Sequence, residues 1–187
     1  MNFRRLMLSG ALVLSFQSFG QVKTSQVSVR SSLKKVIESF TKDFAPVRGT
    51  VIEKNPQTIE YASLVVPEGA KETSITEYTS STDRHVYSWQ AVWLRTDNFA
   101  EAAKLYKRLY DELKGLNITY VVDQYTLEGR YQAPDESKAF IVSEVTVSHP
   151  PAQLSKLKVE VQMQYELPEW KVSVAVFERE KSDAPMD

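Results

Sequence analysis

The chain contains no cysteine among its 187 residues. Disulfide bonds, thiolate metal sites and a lipid anchor on an N-terminal cysteine are therefore excluded. Glycine and histidine are scarce as well, with six and two residues. The glycines form neither a GxGxxG motif nor a phosphate-binding P-loop. Because His85 and His149 stand far apart in the sequence, with no partner at ligand spacing, we predict no metal site and no cofactor.

Clusters of positive charge are also missing. Lysines and arginines interleave with acidic residues along the whole chain, and the formal net charge is −1. No basic stretch is present that would follow a phosphate backbone or an anionic lipid surface. Nucleic acid is therefore not an expected partner.

The one apolar run near the N-terminus, residues 6–19, is too short to cross a membrane. A spanning helix needs roughly 20 apolar residues, and polar residues interrupt this run. Arg4 and Arg5 precede it, and small residues lead up to Gly20, which is typical of a secretory signal. We predict a signal peptide over residues 1–20 rather than a membrane anchor, and hence export to the periplasm or the exterior of a Gram-negative bacterium. After cleavage we expect no stable membrane insertion.

The segment 97–115 is predicted to be an amphipathic helix. Asp97 or Asn98 can cap its first turn, and Gly115 suits the left-handed conformation that ends a helix. Its apolar residues recur at three- and four-residue steps and would share one face: Phe99, Ala102, Ala103, Tyr106, Leu109, Tyr110 and Leu113. A lone helix of this length is marginal in water, so this face needs a partner surface. Strand-like segments on both sides indicate that the partner is a β-sheet.

Alternation of apolar and polar residues predicts these strands. It is strictest over 157–167, which is typical of an antiparallel strand with one face on a core and one in water. The weaker alternation over 72–79 is typical of an edge strand. In full, we predict a first helix over 26–43 and strands over 47–54, 58–66, 72–79, 85–95, 117–132, 138–147, 157–167 and 170–177. Gly129 is expected to kink the strand 117–132.

These elements predict an α+β fold, with an antiparallel sheet of about eight strands and two helices packed on one face. We expect a single domain over 21–180, followed by a disordered tail over 181–187. A helix followed by four or more strands occurs twice, so the halves 26–96 and 97–180 are either copies of one unit or a simple alternation of elements. The doubled arrangement resembles, in element order only, the saddle-shaped sheets of the TATA-binding-protein type. No residue motif of that family is present, so DNA binding is not implied.

Two surfaces of the predicted sheet compete as binding sites. The tryptophans Trp89, Trp93 and Trp170 could stack on sugar rings, but their register with small apolar residues places them in the core. The opposite face would be polar, and we predict that it binds a ligand through Gln90, Glu160, Gln162 and Lys171, with Val92 and Phe177 as apolar spots. The alternative is a solvated face with no partner.

No concentrated catalytic set is visible in the sequence. No serine has the glycine flanks of a nucleophile elbow, and no acid pair is marked out. We therefore expect a non-enzymatic binding or assembly module that meets a small ligand, another protein or a second copy of itself. The alternative is a periplasmic hydrolase with a shallow site built by the loops 67–71, 80–85 and 149–154.

Overall fold

A computed structural model describes residues 28–79 and 84–178 of the chain. The predicted signal peptide, residues 1–20, and the predicted tail, residues 181–187, lie outside this part. The described residues form an α+β fold, as predicted. The helices are α1 (Val29–Glu38) and α2 (Phe99–Leu113). The strands are β1 (Arg48–Lys54), β2 (Thr58–Ser63), β3 (Glu72–Thr79), β4 (His85–Thr96), β5 (Asn117–Tyr120), β6 (Asp123–Arg130), β7 (Phe140–Val147), β8 (Leu157–Glu166) and β9 (Glu169–Glu178).

All nine strands join one antiparallel sheet in the order β1-β2-β3-β4-β9-β8-β7-β6-β5. The strands that follow α1 form one side of the sheet, and those that follow α2 form the other. The last strand of each side, β4 or β9, lies at the centre, where Ala91 pairs with Val174. The core therefore continues across the junction between the two halves.

The helix α2 forms where the sequence predicts it, and its apolar face is buried. Tyr106, Leu109 and Leu113 are 0% exposed. The side chain of Asn98 accepts a hydrogen bond from the backbone N–H of Glu101 at 3.1 Å, which satisfies one free donor of the first turn. Because each large apolar side chain contributes about 2 kcal/mol when buried, packing against the sheet is what stabilises this helix.

Two tyrosine hydroxyl groups join α2 to the second half of the sheet. The Tyr106 hydroxyl lies 2.6 Å from the Ser143 hydroxyl on β7, and both side chains are buried. Burial raises the pKa of Tyr106 to about 12, so the phenol stays protonated. One turn later, Tyr110 donates a hydrogen bond to the backbone oxygen of Gly129 at 2.7 Å. These two phenol groups, buried between α2 and the sheet, thus have hydrogen-bond partners.

Three predicted elements differ from the structure. The first helix ends at Glu38 and continues as a 3-10 turn over Phe40–Lys42, because Asp43 and Phe44 adopt left-handed backbone angles that no α-helix accepts. The predicted strand 117–132 is a hairpin, β5 and β6, whose turn contains Val121 at a φ of 59°. The sheet therefore has nine strands rather than about eight. The strand β3 is not an edge strand, since it lies between β2 and β4.

The outer strands of the sheet are β1 and β5, and each is irregular or covered. The Glu38 carboxylate on α1 accepts a hydrogen bond from the backbone N–H of Thr119 on β5, at 2.7 Å. The pairing of β1 with β2 shifts register on both sides of Val51, which marks bulges. Neither edge therefore presents a regular ladder of free backbone groups.

Candidate functional site

The face of the sheet opposite the helices is mostly polar, as predicted. Alternation along β8 buries Val159, Val161 and Met163 under the helices and turns the intervening residues to the other side. We call this other side the open face. Its residues on the central strands are Thr76, Tyr78, Ser88, Gln90, Val92, Lys158, Glu160, Gln162, Gln164, Lys171, Ser173, Ala175 and Phe177.

Three residues at the centre of the open face are covered by their neighbours. Val92, Ser173 and Ala175 are 6%, 0% and 8% exposed, although none of them lies on the helix side. Longer side chains on the neighbouring strands therefore shield them from solvent, as Gln162 does where it accepts a hydrogen bond from Ser173. Of the three, Ala175 lines the cavity described next.

A groove of about 620 Å³ runs along the open face over β3, β4 and β9. This volume lies within the range of roughly 300–1,000 Å³ that is usual for small-molecule sites. Strand pairing sets its floor, because Ser88 on β4 lies between Thr76 on β3 and Phe177 on β9. Polar and aromatic residues line it: Thr76, Tyr78, Ser88, Gln90, Gln162 and Phe177. We call this site the open-face groove.

The side chains of Thr76, Tyr78, Ser88 and Gln90 make no hydrogen bond to another described residue. They come from two adjacent strands and share one face, so their donors and acceptors converge on the groove. The remaining lining includes the apolar residues Val86 and Ala175. Free hydrogen-bonding groups beside apolar surface are the usual composition of a ligand site.

Gln162 is held in place by its neighbours. Its amide oxygen accepts a hydrogen bond from Ser173 at 3.3 Å, and its amide nitrogen donates to the Glu160 carboxylate at 2.7 Å. Glu160 in turn lies 3.1 Å from the Lys158 ammonium, which also approaches Glu144 at 3.4 Å. Burial alone would lower the pKa of Lys158, but the hydrogen bond and the charge of Glu160 outweigh it and raise that pKa.

Among the described lining residues, the only charged one is Glu178. Its carboxylate lies 2.8 Å from the Lys156 ammonium and also pairs with Arg84. Burial would raise the pKa of Glu178, but hydrogen bonds from these two cations outweigh it and lower that pKa. Glu178 is therefore engaged within the protein, and the described lining residues present no unpaired charge.

The four predicted site residues all lie on the open face, but the structure brings only two of them into the groove. Gln90 and Gln162 line it, whereas Glu160 lies beside it in the chain of polar contacts. Lys171 is outside the groove and pairs with Glu166, which also accepts a hydrogen bond from Arg95 at 2.7 Å.

Sequence reasoning missed the contribution of β3 to the groove. Thr76 and Tyr78 belong to a stretch whose weak alternation indicated an edge strand, and this weak alternation did not show which of its residues face the open side. The exposure of Tyr78, at 46%, is a structural signal that no residue pattern reveals. The predicted apolar spots are both present, with Phe177 in the groove and Val92 in a smaller depression of about 360 Å³ next to Gln90.

A second polar cluster lies on the helix side of β3 and β4, around the buried Glu77. This carboxylate accepts a hydrogen bond from the Tyr61 hydroxyl at 2.6 Å and lies 2.6 Å from His85 Nδ1. Burial would raise its pKa, but the hydrogen bonds from Tyr61 and His85 outweigh burial and hold the pKa below its ordinary value. The Arg48 guanidinium stacks on the rings of Tyr61 and Tyr87, at 5.0 and 4.9 Å from their centroids.

The two histidines have different surroundings. His85 is half exposed and is oriented by Glu77, whereas His149 is exposed and has only the neighbouring Ser148 hydroxyl, 3.1 Å from its Nδ1. Within residues 28–79 and 84–178, no three histidine or acidic side chains come together in a way that would hold a metal ion. No helix in this part of the chain is long and apolar enough to cross a membrane.

The chain was compared with protein-family models, curated proteins and solved structures, and no match was found in any of the three.

Proposed function

We propose that this chain is an exported, non-enzymatic binding module that takes its ligand in the open-face groove. The observation that carries the proposal is the convergence beside apolar surface of four side chains that have no hydrogen bond to another described residue, those of Thr76, Tyr78, Ser88 and Gln90. Export rests on the N-terminal sequence pattern, with Arg4 and Arg5 before a short apolar run.

The distribution of hydrogen bonds supports a ligand site over a merely solvated face. Outside the groove, Glu160 pairs with Lys158 and Glu166 pairs with Lys171, as side chains on a solvated sheet do. The groove differs, because four of its polar side chains make no hydrogen bond to another described residue. A ligand that fills it would gain hydrogen bonds without breaking any within the protein.

The concave shape favours a small ligand over a second protein. Protein interfaces of ordinary size bury about 800 Å² on each partner, which requires a broad contact area. The polar side chains of this face instead converge on a groove of about 620 Å³, a volume that suits a small molecule. We therefore expect the chain to bind a small molecule in the groove whether or not it also forms an oligomer.

Nuclear magnetic resonance can test this proposal without knowledge of the ligand. The ¹⁵N-labelled protein would be titrated with a library of small neutral, anionic and cationic fragments. We expect shift changes to cluster at residues 76–78, 86–90 and 175–177 for the fragments that bind, and to weaken in Gln90→Ala. The matched control is Gln164→Ala, which removes the same side chain from the open face outside the groove. Shift changes scattered over the surface, or clustered elsewhere, would contradict the proposal.

The pairing of Glu77 with His85 favours a second candidate, a hydrolase. A buried carboxylate that fixes the Nδ1 side of an imidazole leaves Nε2 free to take a proton from water or a hydroxyl group. Of the loops expected to build such a site, His85 in 80–85 has a carboxylate partner, whereas His149 in 149–154 has none. Screening with ester, amide and glycoside chromogenic substrates tests this candidate. The hydrolase candidate requires that the protein hydrolyse one of these substrates and that this activity disappear in His85→Gln. Hydrolysis that is unaffected by the substitution would eliminate the candidate.

We also infer that the halves 26–96 and 97–180 are copies of one helix-plus-four-strand unit, to which β5 has been added. A glycine lies on the corresponding strand of each half, β1 or β6, and faces the neighbouring strand on the side of the sheet centre, β2 or β7. A Cβ at Gly49 would lie 2.9 Å from the Ala62 carbonyl oxygen, and one at Gly129 would lie 2.5 Å from that of Glu144. Superposition of the two units tests the inference, which fails if these glycines do not coincide.

A further inference from the structure

We propose that the ligand of the open-face groove is an uncharged saccharide. This inference rests on the proposed binding function and adds the chemical class of the ligand. It depends on three properties of the groove: its lack of available charge, its arrangement of amide and hydroxyl groups, and its exposed aromatic surface.

Charge complementarity excludes ionic ligands first. No lysine or arginine is among the described residues that line the groove; Lys156 and Arg84 both contact Glu178 beside it, and Lys158 is held by Glu144 and Glu160. Glu178, the one carboxylate among those lining residues, is occupied by the two cations, and Glu60, the cross-strand neighbour of Thr76, lies outside the lining. Placing a charged group in a recess that offers no partner charge costs free energy, so the groove selects a neutral molecule.

The hydrogen-bonding groups match a ligand that carries several hydroxyl groups. Gln90 offers two N–H donors and an oxygen with two lone pairs, none of which bonds to another residue in 28–79 or 84–178. Gln162 uses one N–H on Glu160 and one lone pair on Ser173, so one donor and one acceptor remain in a fixed orientation. Adjacent hydroxyl groups of a sugar ring each donate and accept, and a carboxamide can serve both roles at once.

The aromatic rings supply the apolar part of the site. Tyr78 is 46% exposed and lies at the groove, and its hydroxyl group bonds to no other residue in the part of the chain that the structure describes. The ring of Phe177 has the Lys158 ammonium 5.8 Å from its centroid. A pyranose ring has one face of C–H groups, which packs against an aromatic ring while its hydroxyl groups point to the polar residues. A purely apolar ligand would instead leave the free amide and hydroxyl groups unsatisfied.

Isothermal titration calorimetry on the full mature chain tests the ligand class. The neutral probes are maltotetraose, cellotetraose and tetra-N-acetylchitotetraose, and the charged counterpart is tetragalacturonate. We expect at least one neutral probe to bind and tetragalacturonate to bind at least about tenfold more weakly. Gln90→Ala and Tyr78→Ala should each weaken the neutral probe by roughly tenfold, which corresponds to about 1.4 kcal/mol. Gln164→Ala should leave its affinity within about twofold.

A hydroxyl deletion separates the roles of ring and hydroxyl at one position. In Tyr78→Phe the ring remains, so we expect a smaller loss than in Tyr78→Ala, of about threefold. Circular dichroism of every variant would establish that the fold is retained. An equal loss in the two Tyr78 variants would contradict the stacking role.

The outcomes distinguish this inference from the function on which it rests. If small fragments map to the groove but none of the three neutral saccharides binds, the ligand class is wrong and the binding function stands. Tetragalacturonate that binds as tightly as the neutral probes would also overturn the ligand class, as would saccharide binding that survives Gln90→Ala and Tyr78→Ala. If neither fragments nor saccharides bind at the groove, both proposals fail.

Discussion

Glu77 combines burial with hydrogen bonding in a way that makes stability depend on pH. Glu77 is 6% exposed, and hydrogen bonds from Tyr61 and His85 hold its carboxylate in the ionised form. A carboxyl whose pKa is lower in the folded state than in the unfolded state stabilises the protein above the unfolded value. This contribution is lost as the pH falls from the ordinary glutamate range through the lowered folded-state pKa.

We predict that Glu77→Gln lowers the free energy of unfolding at pH 7 by about 1–2 kcal/mol, since it removes charge-assisted hydrogen bonds. The difference from wild type should shrink as the pH is lowered below about 4, because the wild-type carboxyl is then increasingly protonated. Urea unfolding at a series of pH values measures both. The control is Glu128→Gln, an exposed glutamate, and a deficit for Glu77→Gln that stays constant with pH would contradict the prediction.

At the scale of residues, the sequence predicts which face of the sheet a side chain lies on better than it predicts which other side chains lie beside it. Alternation placed Gln90 and Gln162 on the correct face, because a two-residue period determines the side of a sheet directly. It could not show that Thr76 and Tyr78 lie beside them, since this depends on which strands pair. Glu77 was likewise invisible, because an acidic residue in a polar stretch does not reveal that Tyr61 and His85 will surround it.

At the scale of elements, the contact between α2 and β7 depends on one serine that serves two partners. The Ser143 hydroxyl lies 2.6 Å from the Tyr106 hydroxyl and accepts a hydrogen bond from the backbone N–H of Gln132 at 2.9 Å. Removing it leaves a buried phenol and a backbone donor without partners. Removing the Tyr106 hydroxyl instead leaves Ser143 with its bond from Gln132.

We therefore predict that Ser143→Ala destabilises the protein by about 2–3 kcal/mol and Tyr106→Phe by only about 1 kcal/mol. The double variant should cost less than the sum of the two, because Tyr106→Phe removes the phenol that Ser143→Ala leaves unsatisfied. Urea unfolding of the wild type and the three variants at pH 7 measures the free energies of unfolding that complete this double-mutant cycle. Equal and additive losses would show that the two hydroxyl groups do not depend on each other.

The helices and most strands followed from the sequence because their periodicity is strong and their ends are marked. The predicted boundaries that differ from the structure, those of the first helix and of the strand 117–132, are set by backbone angles that residue type does not reveal. Val121 has a φ of 59°, which is rare for a β-branched residue, and it turns what reads as one long strand into the β5–β6 hairpin. Likewise, Asp43 and Phe44 end the first helical segment without a glycine.

At the scale of the whole molecule, the two halves share one core across the β4–β9 pair. We predict that they unfold together, and the three tryptophans allow each half to be followed separately. Trp170→Phe leaves emission only from Trp89 and Trp93 in the first half, whereas the double variant Trp89→Phe/Trp93→Phe leaves only Trp170 in the second. In each variant, the urea midpoints from fluorescence and from far-ultraviolet circular dichroism should coincide. Two separated midpoints would show that the halves are independent units.

The structure of the two edge strands, β1 and β5, determines whether molecules of this protein can associate by strand pairing. An open sheet has two ends at which further strands can add, and repeated addition leads to fibres. Here the Glu38 carboxylate occupies a backbone donor of β5, and the bulges around Val51 disturb the spacing of β1. Pairing of an edge strand with a strand of another molecule is therefore disfavoured at both β1 and β5. The open face can therefore stay uncovered without the margins of the sheet offering a regular site for strand addition.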